Sequence, residues 1–183
     1  MTIVAACFVA DLTQGIAFAQ VLSTRVSGGG EAVAVAFVEY EGHDGQIRQV
    51  ISIGTIGNRI TFGFNATMDV NGQVKGQRQL VDHNLGLIIH SDVIKLSVPH
   101  PVHNRPVGST GLSASMSSST EGVTVNGEPR LGWRFANSPL FNGGEGFNGA
   151  GDTICFELFN AENVRVFQWS AFLSSGNVQV VID

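Results

Sequence analysis

The sequence contains few charged residues, and this composition limits which kinds of partner the protein can bind. Only 14% of its residues are Asp, Glu, Lys or Arg, whereas about a quarter is usual for soluble domains. The formal net charge is −5, from 15 acidic and 10 basic residues. Nucleic-acid binding depends on a basic patch that neutralises phosphates. The composition therefore argues against DNA and RNA as partners.

Long apolar runs are also missing. No stretch reaches the ~18 uninterrupted apolar residues that a membrane-spanning helix needs, so we expect no membrane span. The opening "MTIVAACFVADLTQGIAFAQ" ends in an Ala-Phe-Ala that resembles a signal-peptidase site, but it has no basic start and carries Asp11 in its middle. We therefore expect the first 22 residues to belong to the folded protein and, being apolar, to dock onto a neighbouring subunit.

Cysteine is limited to two residues, Cys7 and Cys155, which form no CxxC or zinc-type spacing. Two interpretations stay open. The first is a pair of buried free thiols. The second is a disulfide that ties an N-terminal strand to a C-terminal strand in an oxidising compartment.

Glycine is abundant, with 23 residues, and it separates short segments of alternating apolar and polar residues. This pattern is typical of β-strands joined by tight turns. We count about ten short strands and no long amphipathic helix. The chain, residues 1–183, is thus predicted to be a single all-β domain, an antiparallel sandwich or closed barrel. Gly-, Ser- and Pro-rich segments at 99–120 and 137–151 are predicted to be long loops.

Several turns and faces are predicted individually. The "SGGGE" segment at 27–31 is expected to be a loop, because glycine adopts left-handed dihedral angles without steric cost. Asn71 with Gly72 predicts a type I′ hairpin turn, and Asn126 with Gly127 predicts a second hairpin. One strand is expected to place four side chains on a single face, namely those of Ile60, Phe62, Phe64 and Ala66. The strand that follows is expected to have one wet face.

Two histidines next to aspartates suggest a metal site. His83 and His90 flank one predicted turn, so they would approach each other across adjacent strands, and Asp92 or Asp82 would complete the ligand set. The alternative is that Asp82 caps the turn through backbone amides and His83 packs at the sheet edge. His100 and His103 form a weaker HxxH pair on a proline-rich loop. No cofactor is expected otherwise.

Aromatic side chains suggest a binding pocket. Trp133, Phe135, Phe167 and Trp169, with Tyr40 and the neighbouring Arg134, would line a pocket for a small apolar or carbohydrate ligand. Packing in the core is the alternative. Glu39 and Glu41 share a strand face, which suits acid–base chemistry but equally keeps a strand soluble.

Part of the chain resembles a known family. The residues that carry the likeness are "FGFN" at 62–65, Gly76, "DH" at 82–83, "GL" at 86–87, "HS" at 90–91 and "GDT" at 151–153. Over 60–98 and 150–183 the chain resembles the bacterial post-COAP domain, a β-rich domain at the C-termini of secreted and surface proteins. It departs from that family at Leu80, where an aromatic residue is usual, and in the Pro- and Ser-rich insertion.

The resemblance implies an antiparallel β fold and an extracellular or cell-surface location, and it implies no activity. We therefore expect a non-catalytic β domain that works in binding or assembly, by self-association or with a protein partner. The alternative is a small β-barrel enzyme or ligand-binding barrel. Its aromatic-lined lumen would hold polar groups such as Arg134, Glu157 and His90.

Overall fold

The computed structural model of the chain describes residues 23–41, 46–98, 105–106, 113–136, 138–141 and 152–182. Every regular element within these ranges is a β-strand, and the strands pair antiparallel, so the predicted all-β class is confirmed. Trp169 and most phenylalanines lie in these strands. The expected N-terminal strands, Cys7, His100 and His103 fall outside the described residues.

The described part of the chain forms fifteen strands, several of them only two or three residues long. They are β1 (Thr24–Ala34), β2 (Phe37–Glu41), β3 (Ile47–Ile51), β4 (Arg59–Met68), β5 (Val74–Asp82), β6 (Leu87–Asp92), β7 (Lys95–Ser97), β8 (Arg105–Pro106), β9 (Ser113–Ser117), β10 (Val123–Val125), β11 (Glu128–Pro129), β12 (Arg134–Ala136), β13 (Ser138–Phe141), β14 (Thr153–Phe159) and β15 (Arg165–Ile182).

The strands form one large sheet and one small sheet. The large sheet has the order β11-β10-β6-β5-β4-β1-β15-β14-β13-β9-β7, and β12 pairs separately with β14. The small sheet has the order β3-β2-β8. It is anchored to the large one where Ile53 bridges to Gln168 on β15 and where Val35 N donates to Ser170 O at 2.8 Å.

The large sheet curls into a half-barrel around one hydrophobic core. Phe62 on β4 and Phe156 on β14 are three strands apart in the sheet order, yet their ring centroids are 6.0 Å apart. In a flat sheet, three spacings of ~4.8 Å would separate these strands by ~14 Å. The curl therefore brings distant strands into contact on the inner face.

The alternation in β4 is as predicted. Ile60, Phe62, Phe64 and Ala66 all face the core, and none exposes more than 6% of its surface. The next strand, β5, has the expected wet face, because Gln77 and Gln79 are exposed. Segments in which apolar and polar residues alternate thus form strands, and the apolar side of each strand packs on the core of the half-barrel.

The triple glycine is not a loop, as the sequence suggested, but the middle of the 11-residue strand β1. Gly28 faces inward, and a Cβ there would lie 2.5 Å from Phe64 Cζ and 2.7 Å from Asn177 O. At Gly30 a Cβ would collide with the backbone of Ser175, beside an irregularity in the pairing of β1 with β15. Close packing between neighbouring strands, rather than a turn, explains these glycines.

The two predicted hairpins both form, with different turns. Asn126 and Gly127 have φ values of 53° and 82°, as a type I′ turn requires. At the other hairpin Gly72 has a φ of 77° while Asn71 does not have a positive φ, so the predicted type I′ turn is wrong there. Instead, Asp69 Oδ1 accepts hydrogen bonds from Asn71 N and Gln73 N.

The segments predicted as long loops contain strands. β8 and β9 lie within 99–120, and β13 lies within 137–151. In β9, Ala114 and Met116 face the core and each exposes only 1% of its surface. The serines between them hide this alternation in the sequence, because serine is common in loops and contributes no apolar signal.

Candidate functional site

The predicted metal ligands are not brought together. The register pairs Asp82 with Leu87 and Gln79 with His90, so His83 and His90 lie four rungs apart along adjacent strands. At ~3.3 Å per residue this separation is roughly 13 Å, which corrects the expectation that the two imidazoles approach each other. Within the described residues no group of three or more His, Cys, Asp or Glu side chains is placed to hold a metal ion.

Each of these residues has its own local role. His83 is exposed, and its Nε2 lies 3.3 Å from Thr61 Oγ1. His90 is exposed on β6. Asp92 accepts hydrogen bonds from Ser119 N at 3.3 Å and Ser119 Oγ at 3.0 Å, which anchors the segment that precedes β10.

Asp82 is a structural hub. It is fully buried, and its Oδ1 accepts hydrogen bonds from Asn84 N at 3.0 Å and Leu85 N at 2.9 Å, as the turn-capping interpretation expects. Its Oδ2 accepts from Asn58 Nδ2 at 2.8 Å and Trp169 Nε1 at 2.7 Å. All four donors converge on one carboxylate, so this side chain links three parts of the fold.

The predicted aromatic pocket is part of the core. Trp169 and Phe135 are 0% and 1% exposed, and Phe167 and Trp133 are partly buried hydrophobic residues packed against the core. The ring of Phe167 lies 5.6 Å from that of Trp169. These rings contact one another and the core, as the core-packing alternative expects.

The polar residues proposed for a lumen lie elsewhere. Arg134 places its guanidinium 4.2 Å from the Phe159 ring centroid and donates to Asn163 Oδ1. Glu157 pairs with Arg165 at 2.7 Å. Glu39 accepts a hydrogen bond from Gln49 at 3.0 Å, and β2, which carries it, is the middle strand of the small sheet.

Arg78 is a buried cation that no sequence pattern indicates. It points into the core from β5, exposes 3% of its surface, and lies 4.4 Å over the Phe135 ring. Its guanidinium donates to Ser91 Oγ at 2.9 Å, Phe135 O at 3.0 Å and Met116 O at 3.3 Å. Burial lowers the pKa of Arg78 to about 9, while the nearby Asp92 opposes this shift. The Arg78 guanidinium thus acts as a charged clamp: its hydrogen bonds join β5 to Met116 on β9 and Phe135 on β12, in the opposite part of the sheet.

The outer face of the sheet carries two rows of polar side chains that run across the strands. The first row follows the register through Asn177, Gly29, Gly63, Gln79, His90 and Thr124. The second runs through Gln179, Ser27, Asn65, Gln77 and Asp92. Residues two apart in a strand share a face, and the buried residues between them confirm that both rows point away from the core.

Two glycines in the first row leave a shallow groove on this face. Gly29 and Gly63 are register partners, and a Cβ built on Gly63 would meet no atom of the described residues within 4 Å. Depressions of about 270 Å³ and 410 Å³ adjoin this pair, the first lined by Asn65, Gln77, Gln79 and His90 and the second by Ser27, Asn177 and Gln179. We call Gly29, Gly63 and these seven lining side chains the outer-face groove.

The groove is lined mainly by amides. Amide side chains offer both donors and acceptors. Asn65 Oδ1 accepts from Gln77 N at 3.2 Å, which fixes the carbonyl and leaves the NH₂ group as a donor. The one carboxylate in the two rows, Asp92, is already bonded to Ser119. Such a surface suits a neutral ligand rich in hydroxyl or amide groups better than a phosphate or a metal ion.

The alternation of polar residues in the sequence predicts the wet face of β5 but not the groove. The groove combines β15, β1, β4, β5 and β6, and its most distant register partners, Ser27 and Gln179, are 152 residues apart in sequence. The one local signal was the glycine at position 63 in an otherwise alternating strand, since a glycine inside a strand often marks a close approach of a ligand or another backbone.

Comparisons of the chain with protein-family models, curated proteins and solved structures found no match. The resemblance to the post-COAP domain thus stays a prediction. No described helix has the length and apolarity needed to cross a bilayer.

Proposed function

We propose that this chain is a non-catalytic β domain of a secreted or surface-exposed protein, and that it binds a neutral, hydroxyl-rich ligand such as a carbohydrate chain in the outer-face groove. The observation that carries the proposal is the open space above Gly63, in the interior of β4. Glycine in the interior of a strand costs roughly 0.5–1 kcal/mol relative to alanine, and no described residue occupies the space above Gly63. A ligand that lies on the strand explains why that space is left open.

The shape and chemistry of the groove support a chain-like ligand. The groove crosses five adjacent strands, which is four spacings of ~4.8 Å or about 19 Å. Amides and an imidazole repeat along this length. Hydroxyl groups act as both donors and acceptors, so each matches either end of an amide.

The interior supports this assignment over a barrel with an aromatic-lined lumen. The residues suggested for such a pocket, Trp169 and Phe135 above all, are packed in the core. We propose a filled, sandwich-like core, with the ligand outside it. The extracellular or cell-surface location rests on the resemblance of 60–98 and 150–183 to the post-COAP domain.

The test is retention of the full chain on insoluble cellulose, chitin, xylan and mannan, followed by calorimetric titration with oligosaccharides of whichever polymer retains it. Gly63→Leu fills the groove and is expected to weaken binding at least tenfold. Thr67→Leu is the matched control, since Thr67 is exposed on the same strand outside the groove, and it is expected to bind as the native chain does.

Two outcomes would refute the proposal. One is that none of the four polysaccharides retains the chain. The other is that Gly63→Leu binds as tightly as Thr67→Leu, with both variants showing the native circular dichroism spectrum.

A further inference from the structure

Within the described part of the chain, the end strands of the two sheet paths, β11, β7, β8 and β3, differ in how they are protected. β11 carries Glu128 and Pro129, β8 consists of Arg105 and Pro106, and β7 is three residues long and begins with Lys95. Short length, charge and proline are the usual means by which a protein blocks edge-to-edge pairing. β3 has five residues, "IRQVI", no proline and one charge.

β3 also exposes apolar side chains. Ile47 and Ile51 are 53% and 48% exposed, and Phe37, the register partner of Ile51 on β2, is 44% exposed. These three lie on the same face of the small sheet, because the residues between them point to the other side. Among the described strands, β3 thus combines an unpaired edge with an apolar face, a combination that monomeric proteins normally avoid.

The backbone groups on the open edge can be assigned. Ser52 N donates to Ala36 O at 2.9 Å, and this pair is in register with Ile51 and Phe37. In an antiparallel ladder the bonded pairs alternate, so Arg48 and Val50 bond toward β2. The N–H and C=O groups of Ile47, Gln49 and Ile51 therefore point away from β2.

The strand is complementary to itself. If two copies of β3 pair antiparallel around Gln49, Ile47 of each copy lies opposite Ile51 of the other, and Gln49 lies opposite Gln49. The outward groups of these residues then form six backbone hydrogen bonds. No like charges face each other, because Arg48 lies opposite Val50, and Phe37 extends the apolar row on both sides. We propose that β3 pairs with β3 of a second copy of this chain, joining the two small sheets into one continuous sheet.

This pairing is independent of the outer-face groove, which lies on the large sheet. It forms a closed two-fold dimer, since the same strand is used on both sides. Strand addition of this kind obtains its affinity from main-chain hydrogen bonds and its specificity from the side chains on the shared face.

The test is sedimentation velocity of the full chain over a dilution series, with two variants at one position. Gln49→Pro removes the central outward N–H without removing any bond to β2, and it is expected to raise the dimer dissociation constant at least tenfold. Gln49→Ala keeps that N–H and is the matched control, expected to dimerise like the native chain. Both lose the side-chain hydrogen bond to Glu39, so only the backbone differs.

A cross-link tests the register. Residues opposite each other in a bonded pair have Cα atoms ~5.5 Å apart, within the range that a disulfide spans. In a Cys7→Ser background, Gln49→Cys is expected to form an intermolecular disulfide on mild oxidation, whereas Thr67→Cys on the large sheet is not. A native chain that is monomeric at every dilution would overturn the proposal, as would a dimer that Gln49→Pro leaves intact.

Discussion

Asp82 on β5 accepts a hydrogen bond of 2.7 Å from the indole Nε1 of Trp169 on β15, although three strand spacings separate these strands in the sheet. Both residues are fully buried. The bond forms because the sheet curls, and it ties a turn between β5 and β6 to the C-terminal strand. The sequence suggested Asp82 as a metal ligand. In the structure its hydrogen bond to Trp169 instead helps to hold the half-barrel together.

The first prediction concerns this carboxylate. Asp82→Asn replaces one acceptor oxygen by an NH₂ group, which then faces two N–H donors, either Asn58 Nδ2 and the buried Trp169 Nε1 or the backbone amides of Asn84 and Leu85. Each buried polar group left without a partner costs about 1–3 kcal/mol, so we expect a loss of about 2–5 kcal/mol in the free energy of unfolding, measured by chemical denaturation.

Asp69→Asn is the matched control for this substitution. Asp69 also caps a turn through two backbone amides, but it is exposed, so water replaces any lost bond. We expect a loss below about 1 kcal/mol for it. Equal losses for the two variants would show that burial of Asp82 contributes nothing to its role.

The second prediction separates two glycines one strand apart. Gly28→Ala places a Cβ 2.5 Å from the Phe64 ring and 2.7 Å from Asn177 O, and overpacking of this kind costs about 1–3 kcal/mol. Gly63→Ala meets open space and is expected to stabilise the strand by about 0.5–1 kcal/mol. Melting temperatures that move in the same direction for both variants would contradict the assignment of Gly28 to the inner face and Gly63 to the outer face.

The parts of the fold that depend on local alternation were predictable. The inward residues of β4 and the hairpin at Asn126 follow from their own neighbours in the chain. The strand through the triple glycine was not predictable, because its cause is the ring of Phe64 and the backbone at Ser175, both far away in sequence. The glycines resemble those of a loop, and only the packing reveals why they stand in a strand.

The candidate site was harder still to predict. β5 directs Arg78 and Asp82 inward, against the rule that charged residues face water. Their partners Phe135 and Trp169 lie 57 and 87 residues further along the chain. The outer-face groove likewise exists only after five strands are placed in register. His83 and His90 are close in sequence and suggested a metal site. The register of β5 and β6 places them too far apart to form one.

The third prediction tests the buried guanidinium. Arg78→Ala removes the guanidinium that donates to Ser91 Oγ, Met116 O and Phe135 O, of which Phe135 O still accepts from Ser118 N, and it removes a charge that interacts with Asp92. Removing one partner of a buried charged network costs about 3–5 kcal/mol. The control is Arg25→Ala on the exposed side of β1, expected within about 0.5 kcal/mol of the native chain. A thermal or urea unfolding series that ranks the two variants equally would contradict the clamp.

The fourth prediction concerns the thiol of Cys155, which is free and fully buried on β14. The pKa of Cys155 is raised to about 12, chiefly because the thiol is buried; Ser170 opposes the rise, and the charge of Glu157 adds to it. At pH 8 the thiolate fraction is therefore on the order of 10⁻⁴, and the thiolate is the reactive form. In a Cys7→Ser background, we expect no reaction with a chromogenic disulfide reagent in the native state and one equivalent of thiol after unfolding in guanidinium chloride. Rapid labelling of the folded chain at pH 8 would show that β14 opens to solvent, and it would remove Cys155 from the core.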